Sequence, residues 1–289
     1  MTTGTRVGLL HPGEMGTSIG RALRIAGVEV RWVSEDRSPE TRARAEAAKL
    51  ADAATLRALV TLTDVVVSIC PPHAALDVAR GVAAKRFTGT YVDANAVAPA
   101  TARRIAEVVE AAGARFVDAD IIGGPVRGRT GPRLYLSGVE APAVASLFTG
   151  TPVQPVVLDG DATAASALKM CYAAWTKGSG AMLLAIRSLA RAQGVEDALL
   201  AEWAVSQRQL TARSEDAAAA TVPKAWRFVG EMEEIAATFG AAGLPDGFAR
   251  AAAEVYRRLA RLGGASEPSL DDVTAALTAG RGQGRATGP

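Results

Sequence analysis

The stretch VGLLHPGEMGTSIG, residues 7–20, joins a short apolar run to an amphipathic segment through a glycine-containing turn. Such a connection between a strand and a helix is typical of a dinucleotide-binding site, where free N–H groups of the helix N-terminus face a pyrophosphate. Gly13 and Gly16 stand at the second and third glycines of the pattern G-x-G-x-x-G, and His11 stands at the first. We expect Pro12, whose φ is restricted, to supply the tight turn instead. An ordinary strand–turn–helix connection stays open on these residues alone.

Composition argues against several kinds of partner. Of the 289 residues, 49% are hydrophobic and 21% charged, and the formal net charge is +2. Without a dense block of Lys and Arg, we expect neither nucleic acid nor an anionic membrane as a partner. No apolar run approaches the roughly 20 residues of a membrane span, and the first residues do not resemble a secretory signal. The expectation is a cytoplasmic protein.

Disulfide and metal chemistry have few side chains to use. Cys70 and Cys171 are the two cysteines, far apart in sequence and each in apolar surroundings. This placement argues against a disulfide framework. With His11 and His73 as the two histidines, no zinc ligand set assembles, and we expect no metal site.

The first half of the chain alternates strand-like and helix-like segments. Apolar runs predict strands at 6–10, 28–33, 64–70, 90–95, 115–121, 133–138 and 155–160. Helical periodicity falls between them at 15–27, 73–85 and 99–113, and the first and last of these helices end in Gly. This alternation predicts an α/β domain with a doubly wound parallel sheet of the Rossmann type.

The second half carries helical patterns only. An Ala-rich pattern covers 161–194, and further helices are predicted at 196–210, 225–243 and 247–263. We therefore predict a dinucleotide-binding domain over 1–160, then a long connecting helix that opens an all-α substrate and dimerisation domain over 161–278. The polar, Gly-rich segment 279–289 is predicted to be disordered.

The segment SEDRSPETRAR, residues 34–44, bears on the choice of nicotinamide cofactor. An acidic residue at the end of the second strand binds the ribose hydroxyls of NAD, which Glu35 or Asp36 could do, whereas an Arg accommodates the 2′-phosphate of NADP. Arg37 and Ser38 lead us to predict NADP as the preferred cofactor, with NAD as the alternative. The other interpretation is a solvated, charged start to the next helix.

Four stretches, taken in order, resemble the β-hydroxyacid dehydrogenase family, which includes 6-phosphogluconate and 3-hydroxyisobutyrate dehydrogenases. They are GLLHPGEMG (8–16), VSICPPHAALDVA (67–79), VDANAVAPAT (92–101) and FVDADIIGGPVRG (116–128). The last two are similar to the family patterns D-x-S-T-x-x-P and D-A-P-V-S-G-G. Lys169, in AASALKMCYAAW, falls where the family has its catalytic lysine. The likeness covers residues 5 to about 195 and is looser beyond; within the family it is nearest to the 6-phosphogluconate-dehydrogenase-like subgroup.

The resemblance implies hydride transfer between a nicotinamide and a small polar hydroxy compound, by a homodimer. Lys169 would act as general acid/base, which requires it to be partly neutral. Tyr172, one helical turn away, could share the proton transfer or be a core aromatic. Asn95 is placed beside the nicotinamide. The predicted cofactor-binding set is Leu10, His11, Pro12, Gly13, Glu14, Met15, Gly16, Ser34, Arg37, Ser38, Cys70, Pro71, Pro72 and Asn95.

Departures from the family pattern concern the substrate. Ile122 stands where the family has a carboxylate-gripping Ser, Ala173 where it has Asn, and acidic Glu233 where a lysine usually reaches into the site. We therefore doubt ordinary 3-hydroxy acids as substrates. The predicted substrate-binding residues are Ile122, Gly123, Gly124, Arg127, Glu231 and Glu234.

Three alternatives stay open. Glu231 and Glu234 share a helix face and would suit a less anionic or amine-bearing substrate, or they form a solvated acidic face. An imine reductase or reductive aminase is the first rival activity, although its relatives typically replace the lysine that Lys169 retains. A non-catalytic nucleotide-binding protein is the second. Lys177 is expected to be structural or peripheral.

Overall fold

The computed structural model describes residues 4–263 and 269–279. The chain divides into two compact units, Met1–Met170 and Cys171–Pro289. The first unit is a sheet covered by helices, and the second is helical throughout its described part. The fold is therefore a Rossmann-type α/β domain followed by an all-α one, as the sequence predicts.

An eight-stranded sheet organises the first unit. Its order is β3-β2-β1-β4-β5-β6-β7-β8. The strands are β1 (Arg6–Leu10), β2 (Glu29–Trp32), β3 (Ala51–Asp52), β4 (Val65–Ser68), β5 (Thr90–Asp93), β6 (Arg115–Ile122), β7 (Arg133–Ser137) and β8 (Gln154–Val157). The first six strands are parallel, β7 is antiparallel to β6, and β8 is parallel to β7. Because the strand order reverses between β1 and β4, a crevice is expected beyond their carboxyl ends, where such sheets bind ligands.

Helices cover both faces of the sheet. They are α1 (Glu14–Ile25), α2 (Pro39–Ala47), α3 (Leu56–Leu62), α4 (Pro72–Ala83), α5 (Pro99–Glu110) and α6 (Ala141–Ser146). Alternate residues of β1 enter opposite cores: Leu9 packs with Ile19 and Leu23 on one face, and Leu10 packs with Leu59 on the other. Two apolar layers therefore fix the register of the strands and, with it, the positions of the loops at their carboxyl ends.

Strand β3 and helices α2, α3 and α6 are absent from the sequence prediction. Strand β3 has only two residues and α6 only six, too few to give a periodic pattern. Helix α2, PETRARAEA, buries only Ala45 and so lacks an apolar stripe. Its start signals are nevertheless present, because Ser38 accepts a hydrogen bond from the Thr41 N–H and Pro39 occupies the first helical turn.

Six α-helices, counting the long helix that leads into it, form the described part of the second unit. They are α7 (Ala164–Ala192), α8 (Glu196–Ser206), α9 (Leu210–Thr221), α10 (Ala225–Ala241), α11 (Gly247–Leu259) and α12 (Leu270–Thr278). Helices α9 and α12 were not predicted; α9 is Ala-rich and α12 is short. The tail predicted to be disordered lies, from residue 280 onward, outside the described residues. Over residues 4–263 and 269–279, no helix combines the length and apolar character that crossing a membrane requires.

Candidate active site

The loop after β1 makes its tight turn at His11. His11 has φ +62°, in the left-handed region that glycine adopts without strain. The Gly13 N–H donates to the His11 carbonyl oxygen across Pro12 at 2.7 Å. Two residues therefore make the turn: His11 takes up the glycine-like conformation, and Pro12 stands at the centre, between the two hydrogen-bonded groups.

The two glycines of the loop have different environments. A Cβ at Gly16 would lie 2.7 Å from the His11 carbonyl oxygen, so any side chain there would clash with the turn. A Cβ at Gly13 would meet no atom within 4 Å. Gly13 is also the N-cap of α1 and has no side-chain cap, so the first N–H groups of the helix lack the partner that a capping side chain would give. This combination of open space and free N–H groups is what a phosphate needs.

His11 and Arg37 lie together at the edge of this loop. Within the described structure, His11 Nδ1 and Arg37 Nε are buried atoms without a hydrogen-bond partner. Burial lowers the pKa of His11 to about 4, with a further contribution from the Arg37 charge. His11 is therefore neutral at physiological pH, and Arg37 supplies the positive charge of this corner.

The loop after β2 holds Arg37 in place. Its backbone N–H donates to the carbonyl oxygen of the buried Ser34 at 3.3 Å, and its own carbonyl accepts from Arg42 Nε at 3.2 Å. Ser38 follows at the start of α2, with its hydroxyl engaged by the Thr41 N–H. The N-terminus of α2 and the Arg37 guanidinium are thus adjacent in sequence, which suits a phosphate.

Asn95 belongs to a buried network at the ends of β4 and β5. Its Oδ1 accepts from the Cys70 N–H at 2.5 Å, and its Nδ2 donates to Ser68 Oγ at 3.1 Å and to Asp93. The residue is only 1% exposed. Both sides of its amide are therefore engaged within the protein, which favours a role in positioning the Cys70 loop over the predicted catalytic role. Burial raises the pKa of Cys70 to about 12, so this side chain is a neutral thiol. Pro71 and Pro72 begin α4 just beyond it.

Lys169 lies against the end of β6. Its Nζ is 2.6 Å from Asp120 Oδ1 and 2.6 Å from the Ile121 carbonyl oxygen. The Lys169 side chain is 12% exposed and that of Asp120 2%. Because β1, β4, β5 and β6 are parallel, their carboxyl ends share one edge of the sheet, and the Lys169 amine is therefore at the same edge as the loops described above.

Two acidic residues of β6 pair in register with two residues of α7. Asp118 and Asp120 are two apart on a strand and share one face, while Ser166 and Lys169 are three apart on a helix and share one side. Asp118 accepts from the Ser166 N–H at 2.8 Å and from the Ser166 hydroxyl at 2.6 Å. Burial raises the pKa of Asp118 to about 6 and that of Asp120 to about 7. Sequence reasoning missed both residues, although two acids in an otherwise apolar strand were a usable signal.

The loop after β6 contains the remaining predicted substrate residues of the first unit. Ile122 is only 4% exposed, so its side chain offers almost no surface to a substrate, contrary to the prediction. A Cβ on Gly124 would meet no atom within 4 Å. The Val126 N–H donates to Ser18 Oγ of α1 at 2.7 Å, which ties the loop to the helix that follows the glycines. Arg127 is exposed.

The predicted residues of the second unit do not form a solvated acidic face. Glu231 is 5% exposed, and its carboxylate contacts Lys177 Nζ at 2.6 Å and Arg227 Nε at 3.1 Å. The solvated interpretation is therefore wrong for Glu231, and Lys177 has a structural ion pair. Glu234 is partly buried. Tyr172 is 45% exposed, so it is not a core aromatic.

No group of three or more His, Cys, Asp or Glu side chains in 4–263 and 269–279 is arranged to hold an ion. The site is therefore described by the sheet-edge loops and by Lys169 with its two acceptors.

Both parts of the chain resemble known proteins. Residues 6–148 match the NAD binding domain of 6-phosphogluconate dehydrogenase, and residues 190–259 match a domain of unknown function, DUF1932. A curated protein of Methanothermus fervidus, described as an uncharacterized 28.5 kDa protein, is 32% identical over 196 residues, which are 68% of this chain and 74% of the relative. A solved protein of unknown function, described as structurally similar to 3-hydroxyacid dehydrogenases, is 29% identical with a TM-score of 0.65, covering 89% of this chain and 98% of its own. The 3-hydroxyisobutyrate dehydrogenase of Mycobacterium tuberculosis shares the fold at 20% identity and a TM-score of 0.69. The match covers 95% of this chain and 99% of that dehydrogenase.

Proposed function

The chain belongs to the β-hydroxyacid dehydrogenase family and carries its NAD-binding domain, and on that premise we propose that it is an NAD(P)-dependent oxidoreductase with Lys169 as the proton-transfer group. The observation that carries the proposal is the position of the Lys169 amine. The amine contacts Asp120 and the Ile121 carbonyl oxygen, at the same edge of the sheet as the loops after β1, β2 and β4.

The residues present fit a dinucleotide. Open space at Gly13 and the uncapped start of α1 suit the pyrophosphate. Arg37 and the start of α2 at Ser38 suit the 2′-phosphate of NADP, which we propose as the preferred cofactor. The buried Nε of Arg37, which has no hydrogen-bond partner among the described residues, supports this. The loop at Cys70, held by Asn95, completes the proposed cradle.

The proposed chemistry assigns one task to each part of the chain. A nicotinamide held at these loops would supply or accept a hydride at the substrate carbon. Lys169 gives a proton to, or takes one from, the substrate oxygen. The backbone N–H of Gly124, a residue at which an added Cβ would meet no atom within 4 Å, is proposed to bind that oxygen or a neighbouring polar group.

The proposed substrate is a small polar hydroxy or carbonyl compound. The buried Ile122 removes the hydroxyl with which the family grips a carboxylate. This loss also favours a second candidate, reduction of an imine, because an imine substrate needs a proton donor but no carboxylate grip. The non-catalytic alternative predicts no turnover with any substrate, which the assay below measures.

We further propose that the protein is a homodimer formed through the second unit. Large apolar side chains are exposed there, among them Trp175 at 66%, Trp226 at 59% and Phe248 at 75%. Two of these side chains, Trp175 and Phe248, also line an apolar pocket of about 430 Å³ together with Met232 and others. Exposed apolar surface of this kind marks an association site. Sedimentation equilibrium should give twice the chain mass, and a monomer would refute this part.

The activity is tested by following NADPH absorbance with a panel of small ketones, aldehydes and cyclic imines, and NADP⁺ reduction with the matching alcohols and amines. Lys169→Ala should lower kcat by roughly 10²–10⁴-fold while NADPH binding is kept. Lys49→Ala, at an exposed lysine, is the matched control and should have no effect. Turnover that is unchanged in Lys169→Ala would contradict the assignment.

A further inference from the structure

Asp120 lies against the amine that the proposed reaction uses. Its Oδ1 is 2.6 Å from Lys169 Nζ, and the second neighbour of that nitrogen is the Ile121 carbonyl oxygen, also at 2.6 Å. Both neighbours are acceptors. A lysine ammonium has three N–H donors, so these two contacts leave one N–H for a third acceptor.

The surroundings of Asp120 favour the charged form of its partner. The carboxylate is 2% exposed, and in the described structure its Oδ2 is buried without a hydrogen-bond partner. An isolated carboxylate in such a place would be costly. Burial raises its pKa to about 7 even though the Lys169 charge acts in the opposite direction. Above that pH the carboxylate depends on the ammonium beside it for compensation.

We infer that Asp120 is a positioning residue that holds Lys169 as an ammonium ion at the end of β6 and thereby favours proton donation, so that the site works in the reductive direction on a C=O or C=N bond. The inference rests on the proposed function and specifies its direction. It concerns a feature of this chain, because the family pattern D-A-P-V-S-G-G has Pro where Asp120 stands.

The step balances without a further reactant. The carbonyl or imine carbon accepts a hydride from the reduced nicotinamide, and the π electron pair moves to the oxygen or nitrogen. That atom takes the third N–H proton of Lys169. The resulting neutral amine remains hydrogen-bonded to the Asp120 carboxylate and regains a proton from water.

The test that needs no cofactor is acetylation of Lys169. Acetic anhydride reacts with neutral amines, and mass spectrometry of the peptide that contains Lys169 measures the extent of reaction across pH 6–10. In Asp120→Asn, which keeps an oxygen acceptor but removes the charge, half-maximal acetylation should move at least one pH unit lower than in the wild type. Asp77→Asn, the same exchange at an exposed carboxylate of α4, should leave it unmoved. Identical profiles for wild type and Asp120→Asn would overturn the inference.

The kinetic test measures whether the site favours reduction or oxidation of the substrate. In the wild type the rate of reduction should persist to higher pH than in Asp120→Asn. In the variant, the decline of this rate on the alkaline side should begin at least one pH unit lower. The rate of oxidation by the variant near pH 7 should be higher than that of the wild type. Loss of rate without displacement of the alkaline decline would indicate a merely structural role and would count against the inference.

Failure of the inference and failure of the proposed function are distinguishable. A protein without turnover on any substrate, but with the displaced acetylation profile, would refute the function and keep the Asp120 assignment. Should Asp120→Asn not fold, the wild type itself decides: the ¹⁵Nζ resonance of Lys169, assigned with Lys169→Arg, must shift as the Asp120 carboxyl titrates. A resonance that stays constant over that range would overturn the inference.

Discussion

A Cβ atom on Gly16 would lie 2.7 Å from the carbonyl oxygen of His11, whereas one on Gly13 would meet nothing within 4 Å. The same carbonyl oxygen accepts the hydrogen bond from the Gly13 N–H that closes the turn. It therefore cannot move without opening that turn. Gly16 is therefore needed by the fold, and Gly13 is not.

The first prediction follows from this difference. Gly16→Ala should lower the free energy of unfolding by about 2 kcal/mol, because a backbone oxygen must move to admit the methyl group. Gly13→Ala should change it by less than about 0.5 kcal/mol. Urea unfolding followed by circular dichroism measures both, and equal losses would show that the turn is not as close-packed as described.

The second prediction concerns Arg37 and the proposed binding of the 2′-phosphate of NADP. Arg37→Ala should weaken NADPH binding roughly 10–100-fold, since a charge-assisted contact to a phosphate is lost, and should leave NADH binding nearly unchanged. Arg44→Ala is the control, because Arg44 is exposed and donates to Thr41. Equal losses for NADPH and NADH would mean that Arg37 does not discriminate the 2′-phosphate.

The third prediction concerns the second unit. Glu231→Gln leaves Lys177 and Arg227 without their shared carboxylate and should cost about 2 kcal/mol in the free energy of unfolding, somewhat less than for a fully buried pair. Glu233→Gln removes a carboxylate that is 58% exposed and should cost less than about 0.5 kcal/mol. The two values are compared in urea at one pH; a smaller cost at Glu231 than at Glu233 would contradict the structural role.

The fourth prediction is a pH dependence of stability. The pKa of Asp120 is raised from 3.8 to about 7 in the folded protein, chiefly by burial. Between about pH 4 and pH 7 the folded state therefore keeps a proton that the unfolded state has released, and the contribution of Asp120 to stability falls as pH rises. Relative to wild type, Asp120→Asn should gain stability steadily across this window in urea unfolding. Both proteins retain Asp118, whose raised pKa acts in the same sense. A constant difference between them would refute the assignment.

Much of the fold is readable from the sequence because its strands are apolar runs and its helices amphipathic. Helix α2 escaped prediction since its nine residues bury only Ala45, and β3 since two residues give no alternation. In the site, motif spacing indicated the glycines of the loop after β1, and the resemblance to the family implied Lys169. The left-handed conformation of His11 could not, because it depends on the turn as a whole.

The contact between Asp120 and Lys169 was beyond sequence reasoning for a different reason. The two residues are 49 positions apart, and their meeting depends on the register of β6 against the start of α7. The hydrogen bonds between Asp118 and Ser166 fix that register, and no local sequence pattern predicts them. The burial of Glu231, which rules out its solvated interpretation, could not be predicted either. Burial of an acid on a helix depends on which neighbour packs over it.

The most direct test of the central claim is calorimetric titration of NADPH and NADH into the wild-type protein and into Gly13→Val. The substitution fills the open space in front of α1 without touching the rest of the fold, as a matching unfolding curve would verify. We predict that the wild type binds NADPH more tightly than NADH and that Gly13→Val binds neither measurably. A wild type that binds neither cofactor, or a Gly13→Val variant that binds NADPH as well as the wild type does, would contradict the central claim.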